Sequence, residues 1–141
     1  MKFKQMFFSL MNNKENLFHP LTFINGNPEI GKNVCIGFFS EINAKGAKVT
    51  IGDDCDIASF VAINVADSHK RCLGLKKEIE REDIIIENNV FIGSHCFVKK
   101  GVHIQHHSVV AAGTIVSKRD IPPYSLVFGN PMQVKKGYYN Q

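Results

Sequence analysis

A chain of 141 residues that is 44% hydrophobic and 21% charged has room for one ordinary globular domain and can bury a core without disulfides, so no second domain fits. A net charge of +4, from 17 Lys and Arg against 13 Asp and Glu, is too small and too scattered to announce a nucleic-acid partner, yet it suits anionic small molecules. The cysteines Cys35, Cys55, Cys72 and Cys96 stand far apart, with no CxxC pair and no His at zinc-finger spacing; this argues against a zinc site, and reduced thiols imply the cytoplasm.

The N-terminal stretch has no apolar run long enough for a signal peptide, and no small-residue cleavage site follows it. Phe3, Met6, Phe7, Leu10 and Met11 fall at i, i+3, i+4, i+7 and i+8, which predicts a helix whose apolar face covers the open end of a solenoid; a membrane-surface role is the alternative. Residues 1–25 are therefore assigned as a capping segment. Pro20, Asn25, Gly26 and Pro28 then mark a turn-rich connection.

From Ile30 a six-residue repeat takes over. Aliphatic residues open successive blocks at Ile30, Ile36 and Ile42, then, after three extra residues, at Ile51, Ile57 and Ile63. The frame resumes at Ile86 and recurs at Ile92, Val98, Ile104, Val110 and Val116, ending at Ile121. Neither a helix, at period 3.6, nor an alternating strand, at period 2, yields this pattern. A parallel β-helix does, because each short strand-and-turn repeat can bury its apolar side only by stacking on its neighbours. Three blocks make one triangular coil. The fifth position is small or apolar in most blocks, and Cys35, Cys55 and Cys96 are read as small buried residues. Gly31, Gly37, Gly52 and Gly93 hold the second position, read as crowded and in need of permissive dihedrals.

Residues 68–85 break the frame. Nine residues between 68 and 83 are charged, so this segment is expected to leave the coil as a loop, either a solvated excursion or a lid over a substrate. The solenoid domain is assigned to 26–121 and a tail to 122–141, where Pro122 and Pro123 stop the repeat and Gly129-Asn130-Pro131 signals a turn.

The blocks, together with the ending VVAAGTIVSKRDIPPYSLVFGNPMQVKK, resemble the hexapeptide-repeat acyltransferases over residues 26–136. The resemblance implies an all-β fold: a left-handed parallel β-helix with a protruding loop and a short N-terminal cap. It is strongest toward sugar O-acetyltransferases and nucleotide-aminosugar N-acetyltransferases of surface polysaccharide and lipopolysaccharide assembly. Those are homotrimers that use acetyl-CoA at sites between subunits, act on a sugar or nucleotide-sugar, and need no metal. A non-catalytic trimeric β-helix that binds or scaffolds, or an acetyltransferase of a non-sugar acceptor such as an antibiotic, are the alternatives. No nucleic acid and no membrane span are expected.

Acetyl transfer to a hydroxyl needs a base, most often His. Of His19, His69, His95, His103, His106 and His107, it is His69 that stands where the resembling enzymes place their catalytic His, at the start of the loop. Asp67 is the candidate to orient it. A backbone N–H at Gly93 or Ser94 is the candidate oxyanion donor. By the same resemblance Ala111, Ala112 and Thr114 line the pantetheine arm, while Lys118 and Arg119 face the nucleotide phosphates. The chain carries one residue more than the family's Lys-Asp at that corner. His95 is placed on an outward face toward a subunit interface. His103, His106 and His107 fall on outward turns with no acidic or sulfur partner at matching spacing, so they are not assigned a metal.

Overall fold

The computed structural model describes residues 2–11 and 17–141. The repeat folds into a three-faced parallel β-solenoid. One face stacks Phe23–Gly26, Glu41–Ala44, Ala62–Asn64, Phe97–Val98 and Ile115–Val116; the next stacks Glu29–Ile30, Val49–Ile51, Ile84–Ile86, His103–Ile104 and Asp120–Ile121. The third runs from Cys35–Ile36 through Asp56–Ile57, Phe91–Ile92 and Val109–Val110 to Leu126–Phe128, and Gln133–Lys135 closes it as an antiparallel strand. The sheets thus take in chain on both sides of 26–121.

The block-opening residues make the core. Ile42, Ile63, Ile86, Ile92, Val98, Ile104, Val110, Val116, Ile121 and Val127 are each buried to within 1%. Burying one such side chain contributes about 1.5–3 kcal/mol relative to leaving it in water. Fifth positions point inward as well, and where they are polar a main-chain carbonyl satisfies them: Ser108 Oγ donates to Pro122 O at 3.2 Å and Thr114 Oγ1 to Ala111 O at 2.6 Å. Cys55 and Cys96 are buried, and desolvation pushes both thiols above their usual range. Cys35 is exposed, contrary to expectation, because it is the sixth residue of its block; Val34 takes the inward place.

Coil length varies. Ile86 pairs with Ile104, 18 residues on, but Ile104 pairs with Ile121, 17 residues on. The corner after Val116 is one residue short of the strict repeat, so Ile121 opens a block and Pro122 does not. The left-handed backbone sits not at the second position but at the fourth: Asn33, Phe39, Asp54, Phe60, Asn89, His95, His107 and Tyr124 have φ between 54° and 60°, and Gly101 and Gly113 follow suit. From Phe39 on, that turn aims each corner N–H at a carbonyl of the preceding coil, as in Asn89 N to Asp53 O at 2.9 Å. The second-position glycines are needed for closeness alone. A Cβ on Gly93 would lie 2.6 Å from Ala112 N, and one on Gly37 2.4 Å from Ser59 N.

The helix forms at Phe3–Leu10, but its faces are reversed from the expectation. Phe8 is buried, whereas Phe3, Met6, Leu10 and Met11 are exposed. Lys4 Nζ ties the helix to Phe18 O at 2.7 Å. Residues 1 and 12–16 of the segment 1–25 lie outside the described part.

Candidate active site

Residue Asn64 starts the departure from the coil. Its Oδ1 accepts from Asn43 Nδ2 on the coil below at 3.1 Å and from Ala66 N at 2.9 Å, bending the chain outward directly after the buried Val65. Ala66–Asp67 then pairs antiparallel with Glu80–Arg81, so the charged segment is a two-stranded arm with a short helix, His69–Cys72, near its root. Asp67 Oδ1 accepts from His69 N at 3.2 Å and lies 2.5 Å from His69 Nδ1. The ring and main-chain hydrogen bonds from His69, the ring's being the larger cause, hold the Asp67 carboxyl below its usual range. An ionised carboxylate only accepts, so Nδ1 carries the proton and Nε2 presents its lone pair outward. The His69 side chain is 57% exposed. Asp67 and Ser68 line a groove of about 290 Å³ with Asn64, Phe97, Lys99 and Lys100.

Acids on the arm hold its base to the coils. Glu80 accepts from Lys76 at 2.6 Å and Lys70 at 2.9 Å, which bring its carboxyl down to about 2. Lys100 bridges Glu82 at 3.1 Å and Glu80 at 3.7 Å, and Lys118 reaches Glu82 at 2.6 Å. Lys118 therefore stands at the same corner as the arm, paired with an acid; Arg119 beside it is exposed.

Gly93, Ser94, Ala111, Ala112 and Thr114 meet at a different corner, where coils three and four turn together. Gly113 N donates to Ser94 O at 2.9 Å and Cys96 Sγ to Ala111 O at 3.1 Å. Gly93 N is engaged by Val110 O at 2.8 Å, which removes it as an oxyanion donor. The N–H groups of Ser94 and Ala112 have no acceptor among the described residues. Five residue steps, from 94 to 99, separate this corner from the arm's, about 16 Å of extended chain. One chain therefore sets the base and the amide donors at opposite edges of one face.

Two participants escaped sequence reasoning. Lys100 is engaged only because the arm folds back onto coil three, and no spacing announces that. Asn64 did leave a signal: Asn43 and Asn64 each follow the opening Ile of their blocks, the start of an outward asparagine ladder. His95 lies stacked on Phe60, and His103 sits between Glu87 at 2.8 Å and Asp120 at 3.0 Å. Among the described residues no group of three His, Cys, Asp or Glu is placed to hold a metal, and no helix is long and apolar enough to cross a membrane.

Residues 83–118 match the family model described as the hexapeptide repeat of succinyl-transferase. The chain is 40% identical over 111 residues to galactoside O-acetyltransferase of Escherichia coli K12, covering 74% of this chain and 54% of that one. It is 37% identical over 109 residues to polysialic acid O-acetyltransferase of Escherichia coli O1:K1, covering 76% and 35%. Among solved structures, a galactoside acetyltransferase in complex with coenzyme A superposes with a TM-score of 0.72 at 35% identity, covering 88% of this chain and 62% of that one. The chain thus spans about half the length of the galactoside relative and a third of the polysialic acid one.

Proposed function

Because the chain belongs to the hexapeptide-repeat acyltransferases, we propose that it transfers an acetyl group from acetyl-CoA to a hydroxyl or amino group of a sugar, in surface polysaccharide or lipopolysaccharide synthesis, as a homotrimer with sites between copies. The observation that carries this reading is the Asp67–His69 pair at the root of the arm, with the outward Nε2 free to take a proton. The relatives named for acetyl transfer to galactosides and polysialic acid support the reaction class and the sugar acceptor.

The residues present fit acetyl-CoA, which supplies an activated thioester. Ala111 and Ala112 leave the main chain open for a pantetheine arm, and the Ser94 and Ala112 N–H groups are unspent donors. His69 Nε2 accepts the acceptor's proton as its oxygen or nitrogen attacks the thioester carbonyl, and returns it to the CoA sulfur as the C–S bond breaks; Asp67 keeps the ring oriented and steadies the imidazolium. Ser94 N–H faces the charge that develops on the carbonyl oxygen. Lys118 and Arg119 meet the nucleotide phosphates, Lys118 by exchanging Glu82 for phosphate. A second copy brings the two corners of the face into one site, which is why a trimer is part of the proposal.

The test is CoA release from acetyl-CoA, followed with a thiol reagent, over a panel of methyl glycosides, amino sugars and nucleotide-sugars. The exposed Cys35 and Cys72 set the protein blank. Turnover with at least one sugar is the expected outcome; none with any acceptor, together with no binding of acetyl-CoA, transfers the assignment to a binding or scaffold module. Light scattering should return a trimer, and a monomer at micromolar concentration overturns the shared site.

A further inference from the structure

The corner that carries Ser94 and Ala112 also carries a column of rings. On successive coils its left-handed fourth position is Phe39, Phe60, His95 and then Gly113. Phe39 and Phe60 stack at 5.4 Å, and Phe60 and His95 stack at 4.9 Å with their planes 4° apart. Phe38 packs edge-on against both phenylalanines. Left-handed backbone favours Gly, Asn and Asp, which is what the neighbouring corner uses at Asn33, Asp54 and Asn89 before His107 and Tyr124 take its last two rungs. Here aromatic residues occupy it instead, and Phe39 and Phe60 are 48% and 44% exposed. Neither backbone preference nor burial accounts for them.

The column stops on an open ring face. One side of the exposed His95 imidazole lies on Phe60; the next rung is Gly113, where a Cβ would meet nothing within 4 Å. The vacancy is one rung deep, about the 4.8 Å spacing of stacked coils, which is the thickness of one more ring. Beside it the Ser94 hydroxyl has no protein partner among the described residues, and the Ser94 and Ala112 N–H groups are unspent. No Lys, Arg, Asp or Glu occurs in 37–40, 58–61, 93–96 or 111–114. These four segments offer a phosphate-bearing ligand no cation of their own, although Lys135 Nζ lies 5.5 Å from the Phe128 ring on the last rung; an uncharged ring with an apolar face and hydroxyl edges matches the notch itself.

We propose that the open face of His95, in the notch left by Gly113, is the acceptor platform: it carries the C–H face of an uncharged pyranose, with Ser94 Oγ at the sugar's hydroxyl edge. The proposal rests on the acetyltransferase reading and narrows it, selecting simple or glycan-linked neutral sugars over nucleotide-sugars. His95 acts here as a surface and a specificity determinant, not as a base.

The experiment compares the native protein with His95→Ala, His95→Phe and Gly113→His, using methyl galactopyranoside, methyl glucopyranoside and UDP-galactose as acceptors. Gly113→His is chosen because the chain already places His95 and His107 in this same backbone conformation, so the new ring can fold into the column and cover the platform. The expected result is a rise in acceptor KM of roughly tenfold or more in His95→Ala and Gly113→His, with the KM for acetyl-CoA unchanged in His95→Ala, while His95→Phe keeps a native acceptor KM. Methyl pyranosides should turn over in preference to UDP-galactose. The proposal is overturned if His95→Phe is as impaired as His95→Ala, which would make the imidazole's nitrogens the requirement. A raised KM for acetyl-CoA in His95→Ala would place the cofactor's adenine on the ring, and loss of the native oligomer by light scattering would place a second copy there. Saturation-transfer NMR of methyl galactopyranoside separates this inference from the activity. Sugar signals that depend on Gly113 in a protein without turnover keep the platform and sink the acetyltransferase; turnover with all variants native-like does the reverse.

Discussion

His69→Ala should lower kcat for acetyl transfer by roughly 10²–10⁴-fold while leaving acetyl-CoA binding intact, since this is the range a positioned general base contributes. The ring is held from one side only, by Asp67, and is otherwise exposed, so its removal leaves no buried vacancy and the fold should survive. Asp67→Asn should give a smaller loss, because an amide oxygen can still accept from Nδ1 but no longer balances the imidazolium. The sign with pH is fixed by the direction of the Asp67 shift. A carboxyl held below its ordinary value of 3.8 contributes fully above that value, and its contribution is lost as pH falls through the lowered one. Turnover by His69→Ala at the native rate discards the mechanism but not the enzyme.

Ile86→Ala should destabilise the protein by about 2–5 kcal/mol, whereas Ile85→Ala, one residue earlier, should change stability by no more than about 0.5 kcal/mol. Ile86 is fully buried and in register with Ile51 below and Ile104 above; Ile85 points outward and is 42% exposed. Stacked coils cannot collapse into a hole without losing the ladder hydrogen bonds on either side, so the cavity term stays near its full size. Urea unfolding at one fixed protein concentration reads both variants. Equal effects from the two would mean that the inward register begins elsewhere.

That contrast was legible beforehand, because a solenoid imposes the same steric demand on every coil and the demand shows as a period. The inward positions and the interruption after Ile63 could be read from spacing; the small run Ala111-Ala112-Gly113 and the role proposed for His69 were drawn from resemblance. The exposed Phe3, Met6 and Leu10 were misread as a covering face, since a 3.6 period shows that a helix has an apolar stripe but not which side is anchored. The shortened corner before Ile121 was hidden because Pro122 also fits the end of a repeat.

The sequence by itself determined the coil, its core and the position of the arm, since each is set by residues a few places apart. Only the tertiary structure decided that Lys100 and Lys118 close on Glu82, that His95 ends a column of rings, and that the amide donors lie a sheet's width from His69. These meetings join residues 18 to 36 apart, and the distance along the chain from one coil to the next changes from 21 to 35 to 18 to 17. Insertions of that kind leave the inward pattern intact while shifting which outward side chains share a corner, so the period specifies the core and stacking alone specifies the site.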